Sequence, residues 1–195
     1  FFDDLVVGHA GVLRDNNVRP DSDMQALAKL KPAFDRSESG TLTAGNSTAL
    51  TDGAAAVLLT SEEYAEKHKL PVAAWLTHSR TAAVDFVEGD EGLLMAPTIA
   101  VSEMLDRGGM DLQDFDFYEI HEAFAAQVLC TLRAWESDDY CRERLGRDAA
   151  MGSVDRAKMN INGSSLAVGH PFAATGARIV STLAKMLEEK GSGKG

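Results

Sequence analysis

The sequence is short of positive charge. It holds 19 Lys and Arg against 30 Asp and Glu, a formal net charge of -11. A nucleic-acid backbone or an anionic membrane surface calls for a basic footprint, and none is present. Long apolar runs are also missing; no stretch approaches the ~20 residues a bilayer span requires. Cysteine is scarce. Cys130 and Cys141 are the only two, with neither zinc spacing nor a disulfide framework, so a reducing compartment is the default expectation. Phe1-Phe2-Asp3-Asp4 has no basic segment leading into an apolar one, which argues against a signal peptide. Several motifs fail as well. His121-Glu122 lacks the second His of a zinc protease because Ala stands at 125. No G-x-G-x-x-G supports a dinucleotide fold, and no G-x-S-x-G marks a hydrolase elbow.

What is present suffices for a core: 195 residues, 45% hydrophobic and 25% charged. Ser22 and Gln25 read as a capping box opening a short helix that Pro32 ends. Residues 35–40 form a polar linker. Residues 53–60 read as a buried strand, 61–69 as a helix and 72–83 as a second strand around Trp75 and Leu76. Pro97 opens a helix that runs to Arg107 and stops at Gly108-Gly109, with Ala100/Met104 and Val101/Leu105 at i,i+4. Residues 115–120 read as an aromatic strand. Phe124, Val128, Leu132 and Trp135 then repeat at helical spacing. Residues 137–158 are polar and read as a surface insertion, and 159–161 as a short element. Residues 176–190 make an amphipathic helix with Ala177, Val180, Leu183, Ala184 and Leu187 inward. Strands alternating with helices imply an α/β fold with a parallel or mixed sheet. The final helix has no strand to return to, so the expectation is a fragment whose sheet needs a continuation or another chain.

Three segments carry residues that packing explains poorly. One is Thr43-Ala44-Gly45-Asn46-Ser47 followed by Asp52-Gly53-Ala54-Ala55-Ala56. The second is His121-Glu122-Ala123-Phe124, at a strand-to-helix junction where α/β sheets bind ligands. The third runs from Asn160-Ile161-Asn162-Gly163-Ser164-Ser165 into Gly169-His170-Pro171-Phe172-Ala173-Ala174-Thr175-Gly176, which puts a histidine at a helix mouth that favours negative charge.

These segments, with Leu30-Lys31-Pro32-Ala33-Phe34, resemble in order the C-terminal half of the thiolases, acyl-CoA:acetyl-CoA acyltransferases. His121 where the family usually has Asn, and Gly-His-Pro-Phe, look like the β-subunits of fatty-acid-oxidation trifunctional complexes. The resemblance implies a truncated C-terminal core of a layered αβαβα fold with a mixed sheet. Residues 1–39 would be the end of a loop region and linker, and 40–195 the core, with a surface insertion at about 131–158. It implies a 3-ketoacyl-CoA thiolase of lipid β-oxidation. A cysteine thiolate takes the acyl group, acetyl-CoA leaves, and CoA receives the acyl chain. In that scheme His170 activates the nucleophile and His121 helps bind the developing oxyanion, each aimed donor lowering the barrier by roughly 3–4 kcal/mol. Ser79 corresponds to a pantetheine contact. Met95, Phe124, Gly163, Ala44 and Gly45 correspond to substrate-binding positions. Neither Cys130 nor Cys141 matches a family cysteine, so this chain alone is expected to be inactive. The resemblance implies no metal and no cofactor, with CoA as substrate. The expected partners are acyl-CoA, further copies in an oligomer and a hydratase/dehydrogenase α-subunit. The expected location is bacterial cytoplasm or mitochondrial matrix. Two other readings stay open: a non-catalytic acyl or sterol carrier, and a scaffold subunit using the insertion as a partner surface.

Overall fold

The computed structural model describes residues 2–195; Phe1, the start of that unpatterned N-terminus, lies outside them. Eight α-helices and one 3-10 turn follow in order. They are α1 (Phe2–Leu5), α2 (Met24–Ala28), α3 (Glu62–His68), α4 (Ala96–Gly108), α5 (Ala125–Trp135), α6 (Asp138–Leu145), the 3-10 turn Arg156–Lys158, α7 (Ser165–Val168) and α8 (Thr175–Lys190).

Local chemistry sets most of the ends. The Ser61 side chain accepts from the Tyr64 amide and opens α3. Pro97 sits in the first turn of α4, and Gly109, left-handed at φ 59°, closes it. At α2 the cap is Asp23, accepting from Ala26 N at 2.6 Å, rather than Ser22. A carboxylate one residue nearer the helix supplies the same acceptor to the orphan amide.

The core lies where α4, α5 and α6 pack. Leu105, Leu112, Val128, Leu132, Trp135 and Val154 form one buried cluster. Polar groups inside it are satisfied: Trp135 Nε1 donates to Thr98 O at 3.4 Å, and Thr98 Oγ1 and Tyr140 OH lie 2.9 Å apart. The segment expected to be a solvated insertion therefore supplies core residues. Thr131, Leu132, Ala134, Trp135, Cys141 and Val154 are buried, Cys141 at 0% exposure. The charges of α6 occupy its outer face, where Asp138, Asp139 and Arg142 are exposed and paired.

The expected strands differ more. Among the described residues no strand longer than a single bridge pair forms. Residues 115–120 and 159–161 do meet in parallel, through Tyr118 and Met159. Residues 53–60 and 72–83 are unpaired and mostly exposed, with Trp75 at 60% and Leu76 at 69%. Such runs suit strands covered on both faces, and no described element covers them. The inward stripe of α8 is likewise rotated. Thr175, Thr182 and Met186 are buried, whereas Val180 is 45% exposed.

Candidate active site

Backbone pairing brings the two histidine segments together. Tyr118 N donates to Lys158 O at 2.9 Å and Asn160 N to Tyr118 O at 2.8 Å. The chain then reverses at Asn160, whose φ of 49° is one that Asn tolerates better than most residues. The Asn160 side chain fixes the junction opposite. Its Oδ1 accepts from Ile120 N at 2.8 Å, and its Nδ2 donates to Ile120 O at 3.0 Å and to Glu122 Oε1 at 2.7 Å. Glu122 Oε2 accepts from Leu166 N at 3.1 Å, in the first turn of α7.

Residues 46–50 bind both segments from the other side. Ala125 N donates to Asn46 O and Thr48 N to Ala123 O, each at 2.9 Å. His170 N donates to Ala49 O at 2.9 Å, and Thr48 Oγ1 to Ser165 O at 2.8 Å. Gly169, at φ 89°, packs so closely on Thr51 that a Cβ would collide with it.

The outcome is an imidazole pair. The rings of His121 and His170 lie 4.2 Å apart, centroid to centroid, tilted by 43°. His121 Nδ1 is 2.7 Å from Ser165 Oγ, and His170 Nδ1 is 2.7 Å from Thr175 Oγ1. Each ring thus keeps Nε2 free of a protein hydrogen bond. His170 lines an open cleft of ≈ 310 Å³ with Leu50, Thr51, Asp52, Gly53, Pro171 and Phe172.

The surroundings oppose a proton on either ring. Burial, then the neighbouring His170, then Arg178 push His121 down to about 4. Burial and Arg178 also lower His170. Arg178, from the second turn of α8, donates through Nη2 to Ser165 Oγ at 3.0 Å and Ser164 Oγ at 3.3 Å. Its Nε and Nη1 are buried without a partner, as are both carboxylate oxygens of Glu119. Burial raises Glu119 to about 7, against the pull of Arg178. A neutral base beside a neutral donor, open to a cleft, suits attack on a carbonyl carbon.

The other sequence-derived positions distribute unevenly. Phe124 caps α5 and packs edge-on against Phe34, with ring centroids 5.6 Å apart. Gly163 forms the turn after Asn160, donating to Asn160 O at 2.8 Å. Gly45 packs on Leu27 and Leu30, and Ala44 is exposed; their turn reaches the site through Asn46. Met95 is half-buried at the start of α4, and Ser79 lies on an exposed segment joined to α4 by the Arg80–Glu103 pair. Among the described residues no hydrogen bond links Met95 or Ser79 to the histidines. Sequence reasoning missed Thr48, Arg178 and Glu119, and gave Thr175 no role. A usable signal existed for two of them: Arg178 falls on the α8 stripe shared with Thr175 and Thr182, and Glu119, with Asp116, interrupts an aromatic-rich run.

Two family models match the chain. The model described as thiolase, C-terminal domain, matches residues 70–195, and that described as thiolase, N-terminal domain, matches residues 6–63. The chain belongs to the thiolase family. It is 46% identical over 184 residues to the 3-ketoacyl-CoA thiolase of Yersinia pestis (strain Pestoides F), covering 94% of this chain and 41% of that protein. The crystal structure of human mitochondrial 3-ketoacyl-CoA thiolase superposes with a TM-score of 0.70 at 28% identity, over 91% of this chain and 39% of that one. The dimeric peroxisomal thiolase of Saccharomyces cerevisiae gives 0.69 at 36%, over 87% and 37%. The fold is thiolase-like, and the chain spans about two fifths of the length of the curated relatives it matches.

Proposed function

We propose that this chain is the histidine-bearing part of a 3-ketoacyl-CoA thiolase, which moves an acyl group from 3-ketoacyl-CoA to CoA and releases acetyl-CoA. The observation that carries the reading is the pair of imidazoles 4.2 Å apart, each with Nδ1 in a side-chain hydrogen bond and, among the described residues, no partner on Nε2. His170 would take the proton of an attacking thiol, and His121 would donate to the oxygen on which charge develops. The thiol comes from outside the described residues. Cys141 is buried and directed at Ala134 O and Trp135 O, and Cys130 is exposed on α5. The chain by itself is therefore inactive in this reading.

Phe124, Gly163, Ala44, Gly45, Met95 and Ser79 belong to the acyl-CoA path in the same proposal, with CoA as substrate and no resident cofactor. Among the described residues no three metal-ligating side chains converge. The yeast relative is dimeric by its description, and one human structure is a complex with CoA; both properties extend to this chain as part of the proposal. A hydratase/dehydrogenase α-subunit as partner, and a cytoplasmic or matrix location, follow from the same reading. No described helix is long and apolar enough to cross a membrane.

The test is a chimera in which this chain replaces the matching segment of the Yersinia enzyme. Thiolysis of a 3-ketoacyl-CoA is expected, falling ~10²–10⁴-fold with His170→Ala, the range for loss of a positioned base. The isolated chain should show none. A folded chimera that binds acyl-CoA without thiolysis would favour the carrier reading, and turnover by the isolated chain would overturn the assignment of the nucleophile.

A further inference from the structure

We propose that Ser165 and Thr175 lock the two facing imidazoles in opposite tautomers, so that His121 carries its proton on Nε2 and His170 carries its proton on Nδ1. Its catalytic meaning rests on the thiolase reading; the tautomers themselves do not.

The argument is a count of protons and lone pairs. Ser165 is 0% exposed, so its hydroxyl has no water to turn to. It has one proton and two lone pairs. Arg178 Nη2, 3.0 Å away, can only donate, and it consumes a lone pair. The remaining side-chain contact is His121 Nδ1 at 2.7 Å. If that nitrogen carried a proton, Ser165 would accept twice and its own proton would be buried unpaired. The satisfied arrangement has Ser165 donating to Nδ1, which moves the imidazole proton to Nε2. Ser164 repeats the pattern, accepting from Arg178 Nη2 at 3.3 Å while donating to Ile120 O at 3.0 Å.

Thr175 works in the reverse sense. Its Oγ1 donates to Pro171 O at 3.3 Å, a back-bond to the carbonyl four residues earlier. With the proton placed there, beside the bond that Pro171 O accepts from Ala174 N at 3.1 Å, the 2.7 Å contact to His170 Nδ1 is one that Thr175 accepts. His170 therefore bears its proton on Nδ1 and a lone pair on Nε2.

One helix governs both rings. Thr175 opens α8 and Arg178 follows three residues later, on the same face. The charged and titratable groups around the pair are Arg178 from α8, Glu119 and Glu122 from the junction, and Asp52, which shares the cleft lining with His170. Arg178 opposes protonation of either ring, and Glu122 is engaged by Asn160 and Leu166. Ser165, Thr175 and Arg178 are thus positioning residues. They make one imidazole a hydrogen-bond donor and the other a base without a net charge on either.

The experiment is long-range proton–nitrogen correlation NMR of the full ¹⁵N-labelled chain at neutral pH. In the unsubstituted chain, His121 Nδ1 and His170 Nε2 should resonate as unprotonated nitrogens, and the other two as protonated. With Ser165→Ala, His121 should shift to an averaged tautomer mixture while His170 holds. With Thr175→Val, His170 should average and His121 hold. One tautomer shared by both rings in the unsubstituted chain overturns the proposal, and so do folded variants whose spectra do not move. If a substitution unfolds the chain, the unsubstituted spectrum decides alone. Opposite tautomers with an inactive chimera would sink the thiolase reading and leave this inference standing; a shared tautomer with an active chimera would do the reverse.

Discussion

Replacing Glu119 by Gln should stabilise the chain at pH 8 and leave it unchanged at pH 4. Both carboxylate oxygens of Glu119 are buried with no hydrogen-bond partner, and its carboxyl is raised from 4.5 to about 7. The sign follows from proton counting. As pH climbs past 4.5, the unfolded chain loses this proton, while the folded chain keeps it until about 7. The unfolded state then binds fewer protons, so stability falls across that window and stays low above it. At about 1.36 kcal/mol per tenfold, the ceiling is roughly 3 kcal/mol. Glu119 is half-buried, and solvent screening reduces this to about 1–2 kcal/mol. Gln mimics the protonated acid and removes the penalty. Urea unfolding at pH 8 and pH 4 reads the difference as a change in midpoint at constant slope. Equal gains at both pH values would mean that the effect does not come from the carboxylate charge, and a loss at pH 8 that Arg178 stabilises the charged carboxylate more than burial opposes it; either would refute the reasoning. His121 contributes the opposite slope. Held down to about 4, it lets the unfolded chain bind a proton first as pH drops below 6.5, so stability falls from there toward 4. The substituted chain should therefore show a clear acid weakening that Glu119 masks in the original.

Two further outcomes test the surroundings of the site. Asn160→Ala removes three side-chain hydrogen bonds and leaves a left-handed backbone angle on Ala; a loss of about 2–4 kcal/mol is expected in the same unfolding assay. An aromatic disulfide reagent should modify Cys130 at once, and Cys141 only at the rate of unfolding, because one is exposed and the other fully buried; two equally fast thiols would contradict the packing of α6.

The helices were legible because their signals are local. Ser61, Pro97 and Gly109 act within one turn, and the α5 periodicity depends only on which residues face α4. The strands were read from the same kind of pattern, but residues 53–60 and 72–83 need neighbours that no local pattern supplies. Composition misled at α6, where the many charges hide one inward Cys141. At the site, His121 and His170 stood out because packing gives no reason for them. Ser165 and Thr175 stood in the singled-out segments without a role, and Arg178 fell within a helix read for its apolar face. Their importance comes from distances across the fold, between residues 44 positions apart in one case. The thiolase resemblance named the family from the motifs, and the family models bear that out.

Residues 46–50 act as a splint. They fall within the part matched by the N-terminal family model, yet they are bonded to the backbones that present both histidines of the C-terminal part. The spacing of the imidazoles is consequently not a property of either part alone. A protease cut between residues 63 and 70, followed by separation of the pieces, would free both rings from their common brace, with every side chain still in place.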